Sequence, residues 1–420
     1  MTPPGSADRP PDDAAIGDIF REEYGRVVAT LVGRFGDIDL AEDVAQEAFV
    51  EAIRRWPEQG LPPNPGGWLT LTARNRAIDR LRRDAVGDQR QRQAHHLQEP
   101  TMDDPADTAL GDASSLTDDR LQLIFTCCHP ALNIDARVAL SLRLLGGLAV
   151  PEIAAAFLVP DTTMGQRITR AKKKIRLAKI PYRVPADHEL PQRLPGVLAT
   201  VYLIFNEGYV PTADREERAD LAAEAIRLGR LLAELMPDEP EVLGLLALML
   251  LIESRRPARI VDGVLVRLDE QDRSRWSRSL IDEGQLLVRR CLARGRPGPH
   301  QLQAAIQAIH AQASSAADTD WHQIKINYDM LYAIAPSPVI ALNRAVAVAE
   351  VAGPEAGLAA IDPLAAELDR YGPFHVARAD LLRRLDRPAE AVVAYDRALA
   401  TITNPAQLRH LRGRRAELDR

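Results

Sequence analysis

Hydrophobic residues recur along most of this chain at the spacing of amphipathic helices, without the alternating runs of β-branched residues that strands show. The clearest case is residues 161–179, which follow the helix breaker Pro160 and begin with Asp161, a residue able to cap a first turn. Their apolar stripe at i, i+4, i+7 and i+11 consists of Met164, Ile168, Ala171 and Ile175. The pattern predicts an all-α protein.

The face opposite that stripe carries cations and short hydrogen-bonding side chains, namely Thr162, Gln166, Thr169, Arg170 and Lys173. Such groups suit phosphates and base edges in a major groove. A solvated amphipathic helix explains this face equally well when it is taken alone. However, residues 151–157 predict a short helix and residues 158–160 a turn. The three segments together predict a helix-turn-helix, whose second helix contacts DNA.

A second concentration of positive charge lies in residues 68–83, where Leu71, Ile78 and Leu81 share one side of a predicted helix. The other side carries Arg76, Arg80 and Arg83, and between Arg74 and Arg83 there are five arginines against one aspartate. A purely structural helix seldom needs so many cations, so this segment favours nucleic-acid binding.

A helix is also predicted for residues 39–56, with Asp39 as its N-cap. Its apolar face comprises Ala41, Ala45, Ala48, Phe49, Ala52 and Trp56. The opposite face carries Asp43, Glu47, Val50 and Arg54, which alone indicate only a solvated surface. Residues 57–67, rich in proline and glycine, predict a loop before the next helix.

Composition limits the possible functions. The 420 residues suggest two to four domains, and the net charge of −6 confines any nucleic-acid contact to local basic surfaces. Three cysteines form no disulfide framework, and adjacent Cys127, Cys128 and His129 cannot all face one metal ion from a helix. We expect them to pack in a core, although Cys127 stays open as a reactive thiol. The N-terminus lacks a secretory signal pattern and apolar residues 242–252 are too few to span a bilayer, so we expect a cytoplasmic protein without membrane contact, cofactor or metal.

Three segments, in this order, resemble bacterial RNA polymerase sigma factors of the extracytoplasmic-function type. They are AEDVAQEAF at 41–49, WLTLTARNRAIDRLRR at 68–83, and GLAVPEIA with RITRAKKKIR at 147–176. The resemblance implies a σ2 domain that docks on the β′ clamp helices of core RNA polymerase through Asp43, Gln46 and Glu47. It also implies recognition and melting of the promoter −10 element by the helix 68–83, with loop 57–67 as a pocket wall. The residues implied for −10 binding are Asn75, Arg76, Asp79, Arg80, Arg82 and Arg83.

The same resemblance implies a σ4 domain that reads the −35 element and touches the β flap. Gln166, Arg167 and Arg170 are the candidates for base edges. Lys172, Lys173 and Lys174 suit phosphates, and Thr162 and Thr163 begin the DNA-facing surface. Two features depart from the family pattern: Ala149 precedes the first helix of the motif where serine or threonine is common, and Leu158 stands in the turn where glycine is frequent.

The domains expected are a disordered N-terminus (1–14), σ2 (15–85), a flexible acidic linker (86–115), σ4 (116–180), an intermediate helical domain (181–290) and helical repeats (291–420). The repeats rest on residues 343–362 and 377–396, which align at an offset of 34 and resemble tetratricopeptide repeats. Such an extension implies regulation, through a protein or ligand that the sequence does not identify. Asn206, Glu207 and Tyr209 favour a helix end and turn over a binding site.

The function expected is therefore that of a promoter-specific transcription initiation factor, not an enzyme. Two alternatives remain. One is a helix-turn-helix regulator that binds duplex DNA without polymerase and carries a repeat domain as sensor. The other is an enzyme that uses Cys127, His129 or the Asn206–Glu207 pair, although nothing there has the spacing of a nucleophile and a base.

Overall fold

The computed structural model describes residues 13–93, 113–157, 159–209 and 219–418. The chain divides into two compact units, Met1–Thr200 and Val201–Arg420. The described residues are helical apart from turns, loops and one pair of two-residue strands, which confirms the all-α prediction. No helix among them is long and apolar enough to cross a membrane.

The first unit contains eight helices within the described residues, the last of which continues into the second unit. They are α1 (Asp13–Phe35), α2 (Ile38–Gln59), α3 (Pro65–Gln93), α4 (Ala113–Cys127), α5 (Ile134–Leu140) with a π-helical continuation (Ser141–Leu145), α6 (Val150–Ala156), α7 (Asp161–Leu177) and α8 (Leu190–Tyr209).

The second unit continues with helices joined by short connections. They are α9 (Ala219–Leu235), α10 (Pro240–Glu253), α11 (Arg256–Arg259), strands β1 (Ile260–Val261) and β2 (Val264–Leu265), a 3-10 turn (Arg273–Arg275), α12 (Arg278–Ala293), α13 (Pro299–Gln312), α14 (Trp321–Ile334), α15 (Pro338–Ala352), α16 (Pro354–Ile361), a 3-10 turn (Asp362–Leu364), α17 (Ala365–Leu368), α18 (Gly372–Arg384), α19 (Pro388–Thr401) and α20 (Pro405–Glu417). The strands are antiparallel, with Ile260 opposite Leu265.

Helix α1 is the centre of the first unit, because it packs against α2, α3, α4 and the π-helical turn. Tyr24, Val27 and Val28 on α1 are completely buried. Two glycines let α1 approach the later helices closely. A Cβ atom at Gly25 would lie 2.7 Å from the Leu145 carbonyl oxygen, and one at Gly33 would lie 2.8 Å from Asp119 Oδ1. We call this contact of α1 with residues 119–145 the α1 interface.

Two predicted helix caps are wrong. Helix α2 is capped by Asp37 and not Asp39, since Asp37 Oδ1 accepts from the backbone N–H groups of Asp39 and Leu40 at 2.8 and 3.1 Å. Helix α7 follows Pro160 and has no side-chain cap, so Asp161 is its first helical residue. The Asp161 carboxylate in that first turn is still favourable for the helix dipole.

The loops and the linker also differ in extent from the prediction. Helix α2 continues through Pro57 to Gln59 and α3 begins at Pro65, so only residues 60–64 remain as a loop. Helix α3 reaches Gln93, which makes the first part of the predicted linker (86–115) helical. Residues 94–112 of that linker, residues 1–12 of the predicted disordered segment and Leu158 of the predicted turn lie outside the described residues.

In the second unit, α10 is buried along its length, as residues 242–252 predict. The two segments that align at an offset of 34 each fold as a helix pair, α15 with α16 and α18 with α19. Small residues lie where paired helices cross: a Cβ atom at Gly357 would lie 2.4 Å from that of Ala349, and the equivalent Ala391 is fully buried. Arg344 and Arg378, also equivalent, pair with Asp329 and Asp362.

Candidate nucleic-acid and polymerase interface

Helix α7 has the two faces that its sequence predicts. Met164, Ile168, Ala171 and Ile175 are buried, and α7 packs through this stripe against α5 and α6. The opposite face is exposed at Thr162, Thr163, Gln166, Thr169, Arg170 and Lys173. The buried stripe therefore fixes which side chains α7 presents to solvent, independently of any ligand.

The helix before α7 compensates for its missing serine or threonine cap. The backbone N–H of Ala149 donates to Glu152 Oε2 at 2.6 Å, so the Glu152 side chain closes the first turn of α6 from inside the helix. The departure at Ala149 therefore leaves the start of the helix-turn-helix intact.

The predicted base-contacting side chains on α7 are within reach of one another. Arg170 Nη2 donates to Gln166 Oε1 at 3.2 Å, an exposed contact one turn apart. The Arg167 guanidinium lies 3.5 Å from Asp135 Oδ2 and is half-buried. Lys174, like Lys173, is exposed. Arg170 and Gln166 are thus free to exchange their mutual bond for a base edge.

Lys172 differs from the other predicted phosphate ligands. Its ammonium lies 2.9 Å from Asp39 Oδ1 and 2.6 Å from Glu42 Oε2, and its side chain is only 14% exposed. Burial disfavours the charged ammonium, but the two carboxylates outweigh it and raise the pKa of Lys172 above its usual value. In this conformation Lys172 is a structural cation and does not face solvent as predicted.

Glu42 is the centre of this ion-pair cluster. Its side chain is 8% exposed, and the Arg143 guanidinium contacts Oε1 while Lys172 contacts Oε2. Arg143, which belongs to the π-helical turn, also donates to the Leu148 carbonyl at 2.9 Å, and this bond fixes the position of its guanidinium. We call Asp39, Glu42, Arg143 and Lys172 the Glu42 cluster. It connects α2 to the π-helical turn and α7 by charge-assisted bonds.

Glu42 and Arg143 are not among the predicted site residues, although the sequence around each carries a signal. Glu42 borders the apolar stripe of α2, between Ala41 and Ala45. Arg143 stands between Leu142 and Leu144, two leucines that are completely buried. An ionisable residue at the edge of a buried stripe implies a charged partner, because an unpaired buried charge is costly.

The predicted polymerase and −10 residues lie side by side on α2 and α3 and pair with one another. Arg80 Nη1 lies 3.0 Å from Asp43 Oδ2, and Arg76 bridges Glu47 and Glu51 at 3.1 and 3.2 Å. Predicted −10 residues Asn75, Asp79, Arg82 and Arg83 are exposed on the same helix, and the Arg83 Nε donates to the Asp79 carbonyl at 3.2 Å. The structure thus brings the two predicted sites into one surface, which we call the α2–α3 surface.

Two further predicted residues lie at the edge of this surface. Gln46 is half-buried, and its amide donates to Glu42 Oε1 at 3.4 Å. Trp68 packs edge-on against Trp56, with ring centroids 5.5 Å apart. Trp68 therefore has a structural partner in this conformation.

The cysteines are core residues. Cys127 and Cys128 are buried, and burial raises the pKa of the Cys127 thiol well above its usual value, which keeps it protonated and unreactive. No group of three or more potential ligands for a metal ion occurs in residues 13–93, 113–157, 159–209 and 219–418.

Tyr209 is the last residue of α8. The Arg259 guanidinium lies over its ring, 4.2 Å from the ring centroid, and the Tyr209 carbonyl accepts a hydrogen bond from the same arginine.

Family models match both parts of the first unit. Residues 19–86 match sigma-70 region 2, and residues 122–175 match sigma-70 region 4. Residues 193–292 match a family of unknown function, DUF6596. The first two matches define the class as a sigma factor with DNA-binding domains, which acts in transcription initiation.

Individual relatives narrow the class. The chain is 30% identical over 161 residues to the ECF RNA polymerase sigma-E factor of Escherichia coli (strain K12), a match covering 36% of this chain and 80% of the relative. It is 26% identical over 166 residues to the ECF RNA polymerase sigma factor SigK of Mycobacterium tuberculosis (strain ATCC 25618 / H37Rv), covering 39% and 86%. An uncharacterized protein of Rhizobium meliloti (strain 1021) is 43% identical over 393 residues, 92% of each chain. No solved structure matches.

The chain belongs to the extracytoplasmic-function sigma factors of the sigma-70 family and carries a C-terminal extension. This confirms the resemblance that the three sequence segments show. The Rhizobium relative matches along both units, so the extension is shared with that protein.

The Glu42 cluster generates the first prediction. Glu42→Ala would leave Arg143 and Lys172 partly buried without their shared carboxylate, a change that typically costs about 3–5 kcal/mol. Backbone amides of α2 and α7 should then exchange hydrogen more than about a hundredfold faster, at about 1.4 kcal/mol per factor of ten. Hydrogen exchange read by mass spectrometry measures this.

The matched control is Glu47→Ala. Glu47 lies on α2, like Glu42, but it is more exposed and pairs with Arg76 on α3. Exposed ion pairs are worth about 0–1 kcal/mol, so exchange in α7 should stay within about fivefold of the wild type. Equal protection of α7 in the Glu42→Ala and Glu47→Ala variants would show that the Glu42 cluster does not hold α2 and α7 together.

Proposed function

We propose that this chain binds core RNA polymerase and directs it to promoters whose −35 element α7 reads and whose −10 element the α2–α3 surface recognises and melts. The observation that carries the proposal is the exposed face of α7. Its hydrogen-bonding and cationic side chains are held outward by a buried apolar stripe, within a segment that matches sigma-70 region 4.

The −35 element is assigned to Gln166, Arg167 and Arg170 for base edges, with Thr162 and Thr163 at the start of the same face. An arginine can bond two acceptors of a guanine and a glutamine can bond an adenine. Lys173 and Lys174 lie on the exposed side where phosphates flank the groove. The exposure of these positions, apart from half-buried Arg167, supports the assignment.

The −10 element is assigned to the exposed side of α3, with residues Asn75, Arg76, Asp79, Arg80, Arg82 and Arg83. The Arg80 and Asp43 side chains are 42% and 55% exposed, so their ion pair contributes at most about 1 kcal/mol. It therefore costs little free energy for Arg80 to exchange Asp43 for a DNA phosphate and for Asp43 to exchange Arg80 for a polymerase cation. One surface can in this way engage DNA and protein at once.

Docking on the β′ clamp helices is assigned to Asp43, Gln46 and Glu47 on α2, and a contact with the β flap to the region 4 part. Asp43 and Glu47 are exposed carboxylates at adjacent turns of one helix. Opposite charge on a partner would steer such a surface into place. The clamp helices would therefore have to present cations to this side of α2.

Lys172 links the proposed function to the Glu42 cluster. If Lys172 contacts a −35 phosphate while the α2–α3 surface is at the −10 element, its ammonium must leave Asp39 and Glu42. The α1 interface and the Glu42 cluster are then contacts of the free chain. Promoter binding breaks the Lys172 contacts and separates α7 from α2. The structure of the free chain supports this because the same lysine serves only one of the two roles at a time.

The proposal is tested first by binding to core polymerase. The full chain should co-purify with core RNA polymerase, and Asp43→Ala should weaken that binding by about tenfold or more, or 1.4 kcal/mol. The matched control is Glu58→Ala, which removes an exposed carboxylate near the end of α2. Tight and sequence-specific promoter binding by the free chain, without binding to polymerase, would instead support the polymerase-independent regulator.

Promoter readout is tested on α7 with the polymerase complex. Arg170→Ala should cost about 1–3 kcal/mol and relax preference at one −35 position, whereas Lys173→Ala should weaken binding about equally on all sequences and reduce the salt slope by about one. Binding of both variants to a panel of −35 sequences at several salt concentrations separates these effects. An unchanged preference profile for Arg170→Ala would remove that residue from base contact.

A further inference from the structure

A cavity of about 730 Å³ lies within the second unit. Its walls come from α15, α18, α19 and α20, from the segment that follows β2, and from the loop between α13 and α14. This volume falls in the range of about 300–1,000 Å³ that holds small organic ligands. The cavity involves none of the residues assigned to polymerase or DNA.

The segment after β2 closes the cavity and is fixed by ion pairs. Arg267 Nη1 lies 2.7 Å from Asp380 Oδ1 on α18, and Arg414 on α20 pairs with Glu270. Arg409 on α20 donates to the Gly263 carbonyl at 2.6 Å, next to the hairpin turn. The cavity is therefore a pocket built by distant parts of the unit and not an accident of one loose loop.

Most of the lining is apolar. Aliphatic side chains contribute most of this surface, among them Leu265, Leu268, Val346, Val376, Ala377 and Leu381. Trp321 adds an aromatic surface, and its ring meets His310 edge-on at 5.3 Å between centroids. Burial of such a surface against an apolar ligand lowers the free energy of the complex, because both surfaces are removed from water.

The charged groups of the lining already have partners from the chain itself. Besides Asp380, Arg267 bonds Asp269 at 3.1 Å, and Arg384 Nη1 lies 2.5 Å from Glu350 Oε1. Arg273 donates to the carbonyls of His310 and Ala313 at 2.6 and 2.9 Å. Three arginines and three carboxylates line the cavity, so these charges cancel. An ionic ligand would have to compete with an existing ion pair or, at Arg273, with bonds to backbone carbonyls.

The remaining polar groups are neutral near pH 7. Burial lowers the pKa of His310 to about 4, and it also lowers the pKa of His410. Burial raises the pKa of Tyr395, which keeps its hydroxyl protonated. Thr319, Tyr395 and Gln407 thus offer neutral hydrogen-bonding groups to a ligand that lies among aliphatic walls.

We propose that this cavity is a binding site for an uncharged, largely apolar small organic molecule with a few hydrogen-bonding groups. Anions are disfavoured because Arg267 and Arg384 are paired with carboxylates and Arg273 is bonded to two backbone carbonyls, and a metal ion is disfavoured because no cluster of three potential ligands occurs among the described residues. The site stands independently of how the first unit binds promoter or polymerase.

The experiment titrates the full-length protein with Nile red, an uncharged apolar dye whose fluorescence rises in an apolar site. The proposal expects saturable binding at one site per chain, with hydrogen-exchange protection confined to the segments that line the cavity, which are residues 265–273, the loop between α13 and α14 with the adjoining turns of those helices, α15, α18, α19 and α20. Ala377→Phe, which fills the cavity from α18, should weaken binding by about tenfold or more. Ala333→Phe, an exposed position on α14 outside the lining, should leave the affinity unchanged.

A second variant and two charged dyes make the outcome decisive. Ala316→Phe enters the cavity from the loop before α14 and should weaken binding as well, so the test stands even if Ala377→Phe fails to fold by circular dichroism. The anionic dye anilinonaphthalene sulfonate and the cationic dye rhodamine 6G should not displace Nile red. Absence of saturable binding, full affinity in a folded cavity-filling variant, or displacement by either charged dye at equal affinity would overturn the proposal.

Discussion

The carboxylate of Glu42 is the contact on which the arrangement of the first unit depends. It is nearly excluded from water and is neutralised by two cations, Arg143 and Lys172, that reach it from helices far along the chain. Desolvated ion pairs hold their geometry tightly, because removal of one partner leaves the other buried and uncompensated. The close approach of α1 at Gly25 to the Leu145 backbone brings α1 and the π-helical turn together, and the Lys172 bonds place α7 beside α2.

The same surface chemistry affects the proposed DNA binding differently at different cations. Cations that face solvent, such as Arg170 and Lys173, are available without rearrangement, whereas Lys172 is available only when the Glu42 cluster opens. The availability of the α3 arginine Arg80 lies between these two cases. It is paired with Asp43 on α2, but this pair is exposed and can be exchanged at little cost in free energy. The free chain is thus prepared for its partners to different degrees along one charged surface.

The sequence predicted those features that depend on local periodicity. The faces of α7, the buried α10 and the 34-residue offset of the repeats follow from spacing alone, because burial of a helix face repeats every three to four residues. The sigma-factor family was also accessible, since three motifs occur in the right order. The Glu42 cluster was not, because Lys172 contacts a carboxylate 130 residues earlier in the chain, and no local pattern encodes that distance. The cavity lining is equally scattered. The helical continuation to Gln93 was missed because low apolar content indicated a linker, although glutamine and arginine are good helix formers.

We propose that α2 and α7 are held together in the free chain and separate on the promoter. Spin labels at Val50→Cys on α2 and Leu177→Cys on α7, both exposed positions, report the distance between these helices by pulsed electron resonance. The three native cysteines are buried, which limits labelling elsewhere. We expect one short, narrow distance distribution in the free chain and a longer one in the complex with core polymerase and promoter DNA. The same short distance in both states would contradict it.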